Sequence, residues 1–220
     1  MPPPPFLAER VGIVDQIGNT LLVRGTEPLI TEDMHFAYNE IGEAIGVDLE
    51  PYDFLDICLI DNVSERWAWE PEVKAFGIDP NKYPTTYWPP YLQKGYNSKA
   101  IIGSKLTTEG HSVPAGMIWW PIEGVPNGQD GKVELGSPGW NFTGLIDYLI
   151  ELSTTLKNTV IYFHCMVGSD RTGAAHIGYL MKAKGLGLTR AIEASQITKA
   201  PLPRFDYMNL VEAYAKQIGK

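Results

Sequence analysis

The stretch that decides the fold is Val160-Ile161-Tyr162-Phe163-His164-Cys165-Met166-Val167-Gly168-Ser169-Asp170-Arg171-Thr172-Gly173. Its first four residues form a compact apolar run, which predicts a buried strand. After the glycine-bearing turn, apolar residues recur at helical spacing from Ala174 to Met181, and Gly185 is suited to end that helix. The sequence therefore predicts a strand, a short loop and a helix in immediate succession.

A loop in this position has the character of an anion-binding site. Backbone N–H groups at the start of a helix point at one spot, where the helix dipole adds partial positive charge. Cys165 lies at the rim of this concavity, and the same field favours the thiolate over the thiol. Arg171, six residues later, can fold back and bind two oxygens of a phosphate with its planar fork. We therefore interpret Cys165 as a nucleophile and Arg171 as a phosphate clamp that also stabilises the transition state.

The other residues of the loop are expected to surround the bound phosphate. Gly168 lets the backbone approach it closely, and the hydroxyl of Thr172 can donate to the cysteine sulfur and ease its departure. The predicted substrate-binding residues are Met166, Val167, Gly168, Ser169 and Thr172.

The pattern His-Cys-x-x-Gly-x-x-Arg-Thr-Gly, from His164 to Gly173, resembles the signature of the protein tyrosine and dual-specificity phosphatase superfamily. The resemblance is sharpest from Val160 to Gly185, with weaker similarity in residues 24–28 and 64–66. It implies an α/β fold with a central mixed sheet flanked by helices and a phosphate-binding loop between strand and helix. It also implies hydrolysis of phosphomonoesters through a thiophosphate on Cys165, with no metal and no cofactor.

The general acid departs from the family pattern. The family usually supplies an aspartate from a Trp-Pro-Asp loop, but here Ile122 follows Trp120 and Pro121. Asp170 precedes Arg171, as in the bacterial atypical tyrosine and lipid phosphatases with Gly-x-Asp-Arg-Thr and in the myotubularin-like lipid phosphatases. Asp170 is our first candidate for the acid, although an aspartate there can also cap a helix. The alternatives are Glu123 and Asp130.

Composition sets the broad class. The chain has 220 residues, 44% of them apolar, which suits one domain over residues 11–220 after a Pro-rich leader at 1–10. A long loop insertion is expected around 79–114. No apolar run approaches the ~20 residues of a membrane span, so we expect a cytoplasmic monomer without stable membrane insertion. A net charge of −8 disfavours nucleic acid as a partner.

Apolar periodicity and turn residues predict the remaining elements. The last predicted helix is expected to turn Phe205, Met208, Val211, Ala215 and Ile218 inward. The predicted strands are 11–14 and 20–24, joined as an edge hairpin, then 54–60 and 116–120, and the predicted helices are 30–45, 142–156, 189–197 and 205–218.

Several side chains outside the loop have two interpretations. Cys58 is either a small buried hydrophobe or, as in some relatives, the partner of Cys165 in a reversible disulfide. His164 and His176 are interpreted as structural. A group of aromatic residues in the expected long loop either forms a wall for substrate or packs that loop onto the domain. These residues are Tyr83, Tyr87, Trp88, Tyr91 and Tyr96. A group of basic residues either complements a helix dipole or binds a phosphoinositide head group, and it consists of Lys182, Lys184 and Arg190.

The expected partner is a phosphorylated protein, with a phosphoinositide or inositol phosphate as the alternative substrate. The missing loop aspartate also leaves open a pseudophosphatase that binds phosphorylated ligands without turning them over. A sulfurtransferase uses a cysteine in an anion loop too, but Arg171 and Thr172 match phosphate transfer better.

Overall fold

The computed structural model describes residues 5–30, 35–60, 65–82, 105–108, 111–122 and 142–220. The strands are β1 (Gly12–Ile17), β2 (Thr20–Gly25), β3 (Leu29–Ile30), β4 (His35–Phe36), β5 (Asp53–Cys58), β6 (Lys105–Thr108), β7 (His111–Trp119) and β8 (Thr159–His164). The helices are α1 (Tyr38–Ile45), α2 (Arg66–Ala75), α3 (Phe142–Thr155), α4 (Asp170–Ala183), α5 (Leu188–Ala194) and α6 (Phe205–Ile218), with short 3-10 helices at Ala8–Arg10 and Pro80–Lys82.

A six-stranded mixed sheet forms the centre, in the order β1-β2-β8-β5-β7-β6. The inner strands β2, β8, β5 and β7 run parallel, while β1 and β6 pair antiparallel at the two edges. The register sets His164 between Gly25 and Cys58, so the ends of three strands meet where the loop at Cys165 begins. The predicted α/β class is confirmed.

Helices cover both faces of the sheet. Side chains alternate along β8, so Ile161 and Phe163 pack with α3, α4 and α6, whereas Val160 and Tyr162 pack with α1 and α2. All four side chains are fully buried. Because β8 is buried on both faces, it reads as a continuous apolar run in the sequence.

The edge hairpin of β1 and β2 and the strand β8 are confirmed, and α6 has the predicted bounds. Of the residues expected to point inward, Val211 and Ala215 are buried, and Met208 and Ile218 pack against the core, but Phe205 is 58% exposed. Leu210 and Tyr214 are buried as well. Phe205 lies in the first turn, next to the N-cap residue, beyond the part of α6 that packs on α4.

Three segments differ from the sequence-based expectation. The helix predicted over 30–45 covers only Tyr38–Ile45, because β3 and β4 precede it. Part of the loop expected at 79–114 consists of β6 and the start of β7. The helix α2 was not predicted, since Pro71 and several polar residues obscure its periodicity.

The leader predicted at 1–10 is too long. The N–H of Leu7 donates to the Thr26 hydroxyl at 3.2 Å, and Nη1 of Arg10 donates to the Val167 carbonyl at 2.8 Å. Phe6 packs against the core beside α1. Residues 6–10 therefore belong to the fold, and one of them contacts the candidate site directly.

No helix in the described ranges has both the length and the apolar character needed to cross a bilayer.

Candidate active site

The loop between β8 and α4 is held from outside through its carbonyl groups. The carbonyls of residues 166–168 accept, in turn, the backbone N–H of Glu27 at 3.1 Å, Nη1 of Arg10 at 2.8 Å and Nη2 of Arg24. The N–H and C=O of one planar trans peptide point in opposite directions. Because these carbonyls face outward, the N–H groups of residues 167–169 face the interior of the loop, where an oxyanion would bind.

Gly168 is required by the geometry of the loop. Its φ is +66°, and a Cβ there would lie 2.8 Å from the carbonyl oxygen of Gly25. An L side chain would therefore meet both backbone strain and a steric clash. The close approach to Gly25 joins the loop to the end of β2.

Arg24, whose side chain is buried, organises the outer side of the loop. Besides the Gly168 carbonyl, it donates to the Ser195 carbonyl at 3.3 Å and lies 3.2 Å from Nδ1 of His176. Burial lowers the pKa of Arg24 to about 10, which leaves it charged at neutral pH. Burial, with repulsion from Arg24, lowers the pKa of His176 to about 3, so its neutral ring can accept the hydrogen bond. His176 thus has the structural place predicted for it.

Cys165 lies at the base of the loop and is 1% exposed. Burial alone would raise the pKa of its thiol, but the charge of Arg171, the hydroxyl of Thr172 and the N–H groups of Thr172 and Gly168 together lower it. The pKa of Cys165 is thus below its ordinary value in spite of the burial. This environment stabilises a thiolate.

Arg171 is oriented by Glu65, the N-cap residue of α2. The Nη1 and Nη2 atoms of Arg171 donate to the two carboxylate oxygens of Glu65, and Nη1 also donates to the Leu59 carbonyl at 3.3 Å. A guanidinium has five N–H donors. Among the described residues, Nε of Arg171 has no hydrogen-bond partner. The edge formed by Nε and Nη2 therefore remains for two oxygens of an anion.

Asp170 makes an ion pair with Arg204, the N-cap residue of α6. Its Oδ1 accepts the Arg204 backbone N–H at 2.8 Å, and its Oδ2 accepts Nε at 2.6 Å. The aspartate therefore joins the starts of α4 and α6. To act as an acid, Asp170 must carry a proton on one of these two oxygens. The exposed Arg204 side chain must therefore move away from the carboxylate before the proton can be donated.

The other predicted site residues lie around the same loop. The hydroxyl of Ser169 donates to the carbonyls of Pro201 at 3.1 Å and Leu202 at 3.4 Å, so it joins the loop to the segment that precedes α6. The hydroxyl of Thr172 lies near Cys165 and 3.4 Å from the Gly25 carbonyl. The alternative acids Glu123 and Asp130 and the aromatic residues between 83 and 96 lie outside the described residues.

Cys58 and Cys165 are both free thiols on opposite faces of the sheet. Cys58 is the cross-strand neighbour of His164, and both side chains point toward the layer that contains α2. Cys165 belongs to the layer of α3, α4 and α6. Cysteines whose side chains point apart cannot be bridged without backbone movement. This placement favours the interpretation of Cys58 as a small buried side chain over that of a disulfide with Cys165.

The ring of His164 faces away from the loop interior, as predicted. Its Nδ1 lies 3.4 Å from the Cys165 carbonyl. In the basic patch, Lys182 pairs with Asp147, and Lys184 donates to Asp15 at 2.7 Å. These pairings favour a structural account of the two lysines.

Sequence reasoning missed the residues that hold the loop and its arginine, namely Arg10, Arg24 and Glu65. Each is distant in sequence from the residue it contacts. One signal in the sequence was the weak resemblance at residues 24–28 and 64–66. A charged residue within an apolar strand, such as Arg24 in β2, is a further signal, because burial of a charge requires partners.

Fold and loop together define a class of architecture, a mixed sheet with a cysteine-bearing loop at the carboxyl ends of its parallel strands. No family model matches the sequence, and no curated protein matches it. Solved structures that match include tyrosine and dual-specificity phosphatases and a tyrosine phosphatase-like protein. Tk-PTP in its active form has a TM-score of 0.49 and 13% identity over 94% of this chain and 97% of its own.

Two other solved structures cover most of the chain. PTPMT1 in complex with PI(5)P has a TM-score of 0.45 and 13% identity, over 95% of this chain and 96% of its own. The human tyrosine phosphatase-like serine/threonine/tyrosine-interacting protein has a TM-score of 0.45 and 9% identity, over 90% of this chain and 93% of its own. These identities and scores are too low to assign an activity, so the chemistry of the site must do so.

Proposed function

We propose that the protein is a cysteine-dependent phosphomonoester phosphatase. One observation carries the proposal: the thiol of Cys165, although buried, has a lowered pKa because Arg171, Thr172 and inward N–H groups converge on it. The same groups that stabilise a thiolate are suited to a phosphate dianion. A thiolate and an anion site at one point support nucleophilic attack on phosphorus.

The reaction has two steps. In the first, the Cys165 sulfur forms a bond to phosphorus while the bond from phosphorus to the ester oxygen breaks, and the leaving oxygen takes a proton from an acid. In the second, water attacks the thiophosphate, the P–S bond breaks, and the thiolate and inorganic phosphate are released. The Nε and Nη2 edge of Arg171 holds two phosphate oxygens throughout. Thr172 stabilises the departing sulfur.

Asp170 is the proposed acid of the first step. It immediately precedes Arg171 at the start of α4, and among the described residues its carboxylate is held by the backbone N–H and the exposed side chain of Arg204. An ion pair with an exposed partner is weak and can break when a substrate binds. Glu123 and Asp130 remain alternatives.

Phosphotyrosine-type protein substrates are the proposed class. The net charge of −8 disfavours a polyanionic lipid, which makes a phosphoinositide or inositol phosphate the alternative. A panel of a phosphotyrosine peptide, a phosphoserine peptide and a soluble phosphoinositide, compared by kcat/KM, separates these classes.

The test is hydrolysis of para-nitrophenyl phosphate with a metal chelator present, by wild type, Cys165→Ser and Asp170→Asn. Cys165→Ser should lose all turnover. Asp170→Asn should lose about 100-fold in kcat on phenyl phosphate and less on the nitrophenyl ester, which needs little acid assistance. Asp147→Asn, an exposed aspartate on α3, is the matched control and should behave as wild type.

Activity that survives in Cys165→Ser would exclude the cysteine mechanism. An inactive wild type that still binds vanadate or a phosphopeptide would instead identify a phosphate-binding module. Equal kcat for Asp170→Asn and Asp147→Asn on phenyl phosphate would assign the acid to another carboxylate.

A further inference from the structure

A second group of reactive side chains is buried behind the loop, on the face of the sheet opposite Cys165. It contains Asp56 and Cys58 from β5, Glu72 from α2 and His164 from β8. Each is 0% exposed. The proposed phosphatase mechanism uses none of these four side chains. An acidic residue with no solvent contact carries a large desolvation cost unless a cation compensates it.

Three donor atoms of the group lie close together, and Asp56 lies beside one of them. His164 Nε2 lies 3.1 Å from an oxygen of Glu72 and 3.2 Å from Oδ1 of Asp56. The Cys58 sulfur lies 3.2 Å from the other oxygen of Glu72. The donors of Cys58, Glu72 and His164 all lie within 4.8 Å of one another.

Hydrogen bonds among these side chains do not satisfy Asp56. The single hydrogen that Nε2 of His164 can carry serves Glu72. Among the described residues, neither carboxylate oxygen of Asp56 has a hydrogen-bond partner. The fully buried carboxyl group of Asp56 thus lies 3.2 Å from Nε2 of His164 without a hydrogen-bond donor of its own. A cation at the centre of the group would satisfy it.

The spacing matches a tetrahedral metal ion. Zinc binds sulfur, nitrogen and oxygen at about 2.0–2.3 Å, so two donors of one tetrahedral ion lie about 3.2–3.7 Å apart. The measured donor separations of 3.1 and 3.2 Å agree with this spacing to within a few tenths of an ångström.

The orientation of His164 supports the same conclusion. A histidine that binds a metal usually donates its other ring N–H to a carbonyl or carboxylate, which fixes the tautomer. Nδ1 of His164 lies 3.4 Å from the Cys165 carbonyl, and Nε2 faces the other donors. The ring is therefore already placed to bind a metal through Nε2.

We infer that Cys58, Glu72 and His164 form a structural site for a divalent transition-metal ion, best suited to Zn²⁺, and that the Asp56 carboxylate moves toward the ion to complete a tetrahedron. A thiolate, an imidazole and two carboxylates make a donor set that zinc accepts and that Mg²⁺ and Ca²⁺ do not favour. On binding, the ion replaces the hydrogens of the thiol, of Nε2 and of any protonated carboxyl, and these protons pass to solvent.

The site would join α2 to the middle of the sheet. Two ligands come from β5, one from β8 and one from α2. The ion would therefore fix the helix that carries Glu65 at its start, although it would take no part in the reaction at Cys165. Because the ligands are fully buried, the ion is expected to enter while the chain folds.

The experiment uses the full chain refolded from denaturant, either with Zn²⁺ or with a chelator, followed by desalting, elemental analysis and thermal melting. We expect one zinc per chain and a melting temperature several degrees higher in the zinc-refolded protein. Refolding with Co²⁺ should give the intense visible absorption of a tetrahedral ion and a sulfur-to-cobalt charge-transfer band. Equal melting temperatures with no retained ion would overturn the inference.

The variants test the ligands. Asp56→Asn and Cys58→Ser should lose the retained metal, and Cys165→Ser should keep it because Cys165 belongs to the other layer. If the buried variants do not fold, the cobalt spectrum of the wild type tests the metal site instead. A spectrum without the sulfur-to-cobalt charge-transfer band would contradict the site. These readouts do not depend on phosphatase activity, so either proposal can fail without the other.

Discussion

Arg171 and Glu65 form a doubly hydrogen-bonded ion pair between the start of α4 and the start of α2. Burial acts against the guanidinium charge, but Glu65 and the Cys165 thiolate raise the pKa of Arg171, so the charge persists. The pair uses one edge of the guanidinium and leaves the Nε edge for phosphate. Glu65 is thus a positioning residue for the phosphate clamp.

Glu65→Gln should therefore lower kcat/KM for para-nitrophenyl phosphate by about 10- to 100-fold, because a displacement of about 1 Å in a catalytic group can cost on the order of 100-fold. Vanadate inhibition should weaken in parallel, since the same guanidinium edge binds it. Glu212→Gln, on an exposed position of α6, is the control. Unchanged vanadate affinity in Glu65→Gln would contradict the positioning role.

Gly168→Ala tests the loop against a matched glycine. Gly18 has a φ of +59° and open space within 4 Å of the position that a Cβ would take, whereas a Cβ at Gly168 clashes with the Gly25 carbonyl. Gly18→Ala should lower the free energy of unfolding by about 1–2 kcal/mol from backbone strain alone. Gly168→Ala should lower it further and abolish turnover. Denaturant unfolding and activity assays measure both, and equal destabilisation would argue against the clash.

Thr172→Val should raise the pKa of Cys165, because it removes the hydroxyl that stabilises the thiolate. The pH at which iodoacetamide alkylation of Cys165 becomes half-maximal should move upward. Breakdown of the thiophosphate intermediate should slow by about 10-fold or more. The control is Thr154→Val, because the Thr154 hydroxyl donates to backbone carbonyls of α3. An alkylation profile that matches the control would exclude the contact with sulfur.

His176 gives the fold an acid-sensitive element. Its pKa is lowered to about 3 by burial and by Arg24, whereas a histidine in the unfolded chain has a pKa of about 6.5. As the pH drops, the unfolded chain therefore binds a proton at His176 before the folded chain does. The contribution of His176 to the free energy of unfolding falls between pH 6.5 and 3, by up to about 1.4 kcal/mol per pH unit.

His176→Asn keeps an acceptor for Arg24 but removes the titration. Its free energy of unfolding should fall less between pH 6.5 and 5 than that of the wild type, because every other group that titrates in this range is the same in both proteins. Denaturant unfolding at several pH values measures this. The same slope in both proteins would show that His176 does not carry the effect.

The strand, loop and helix around Cys165 could be predicted from the sequence because they are local. The strand, the glycine turn and the helix lie within residues 159–183, and the spacing of Cys165 and Arg171 follows from that short path. The elements β1, β2, α3 and α6 could be predicted as well, because their apolar periodicity is visible in the sequence. By contrast, α2 escaped prediction, since Pro71 interrupts its pattern.

The sequence by itself determined the α/β class and the places of Cys165 and Arg171, because both depend on contacts between residues close in the chain. Only the tertiary structure decided what holds them. Glu65 reaches Arg171 across 106 residues, and Arg24 reaches the Gly168 carbonyl across 144. It also brought Cys58, Glu72 and His164 close together, because the parallel register of β5 and β8 and the packing of α2 are set by long-range burial that no local pattern encodes.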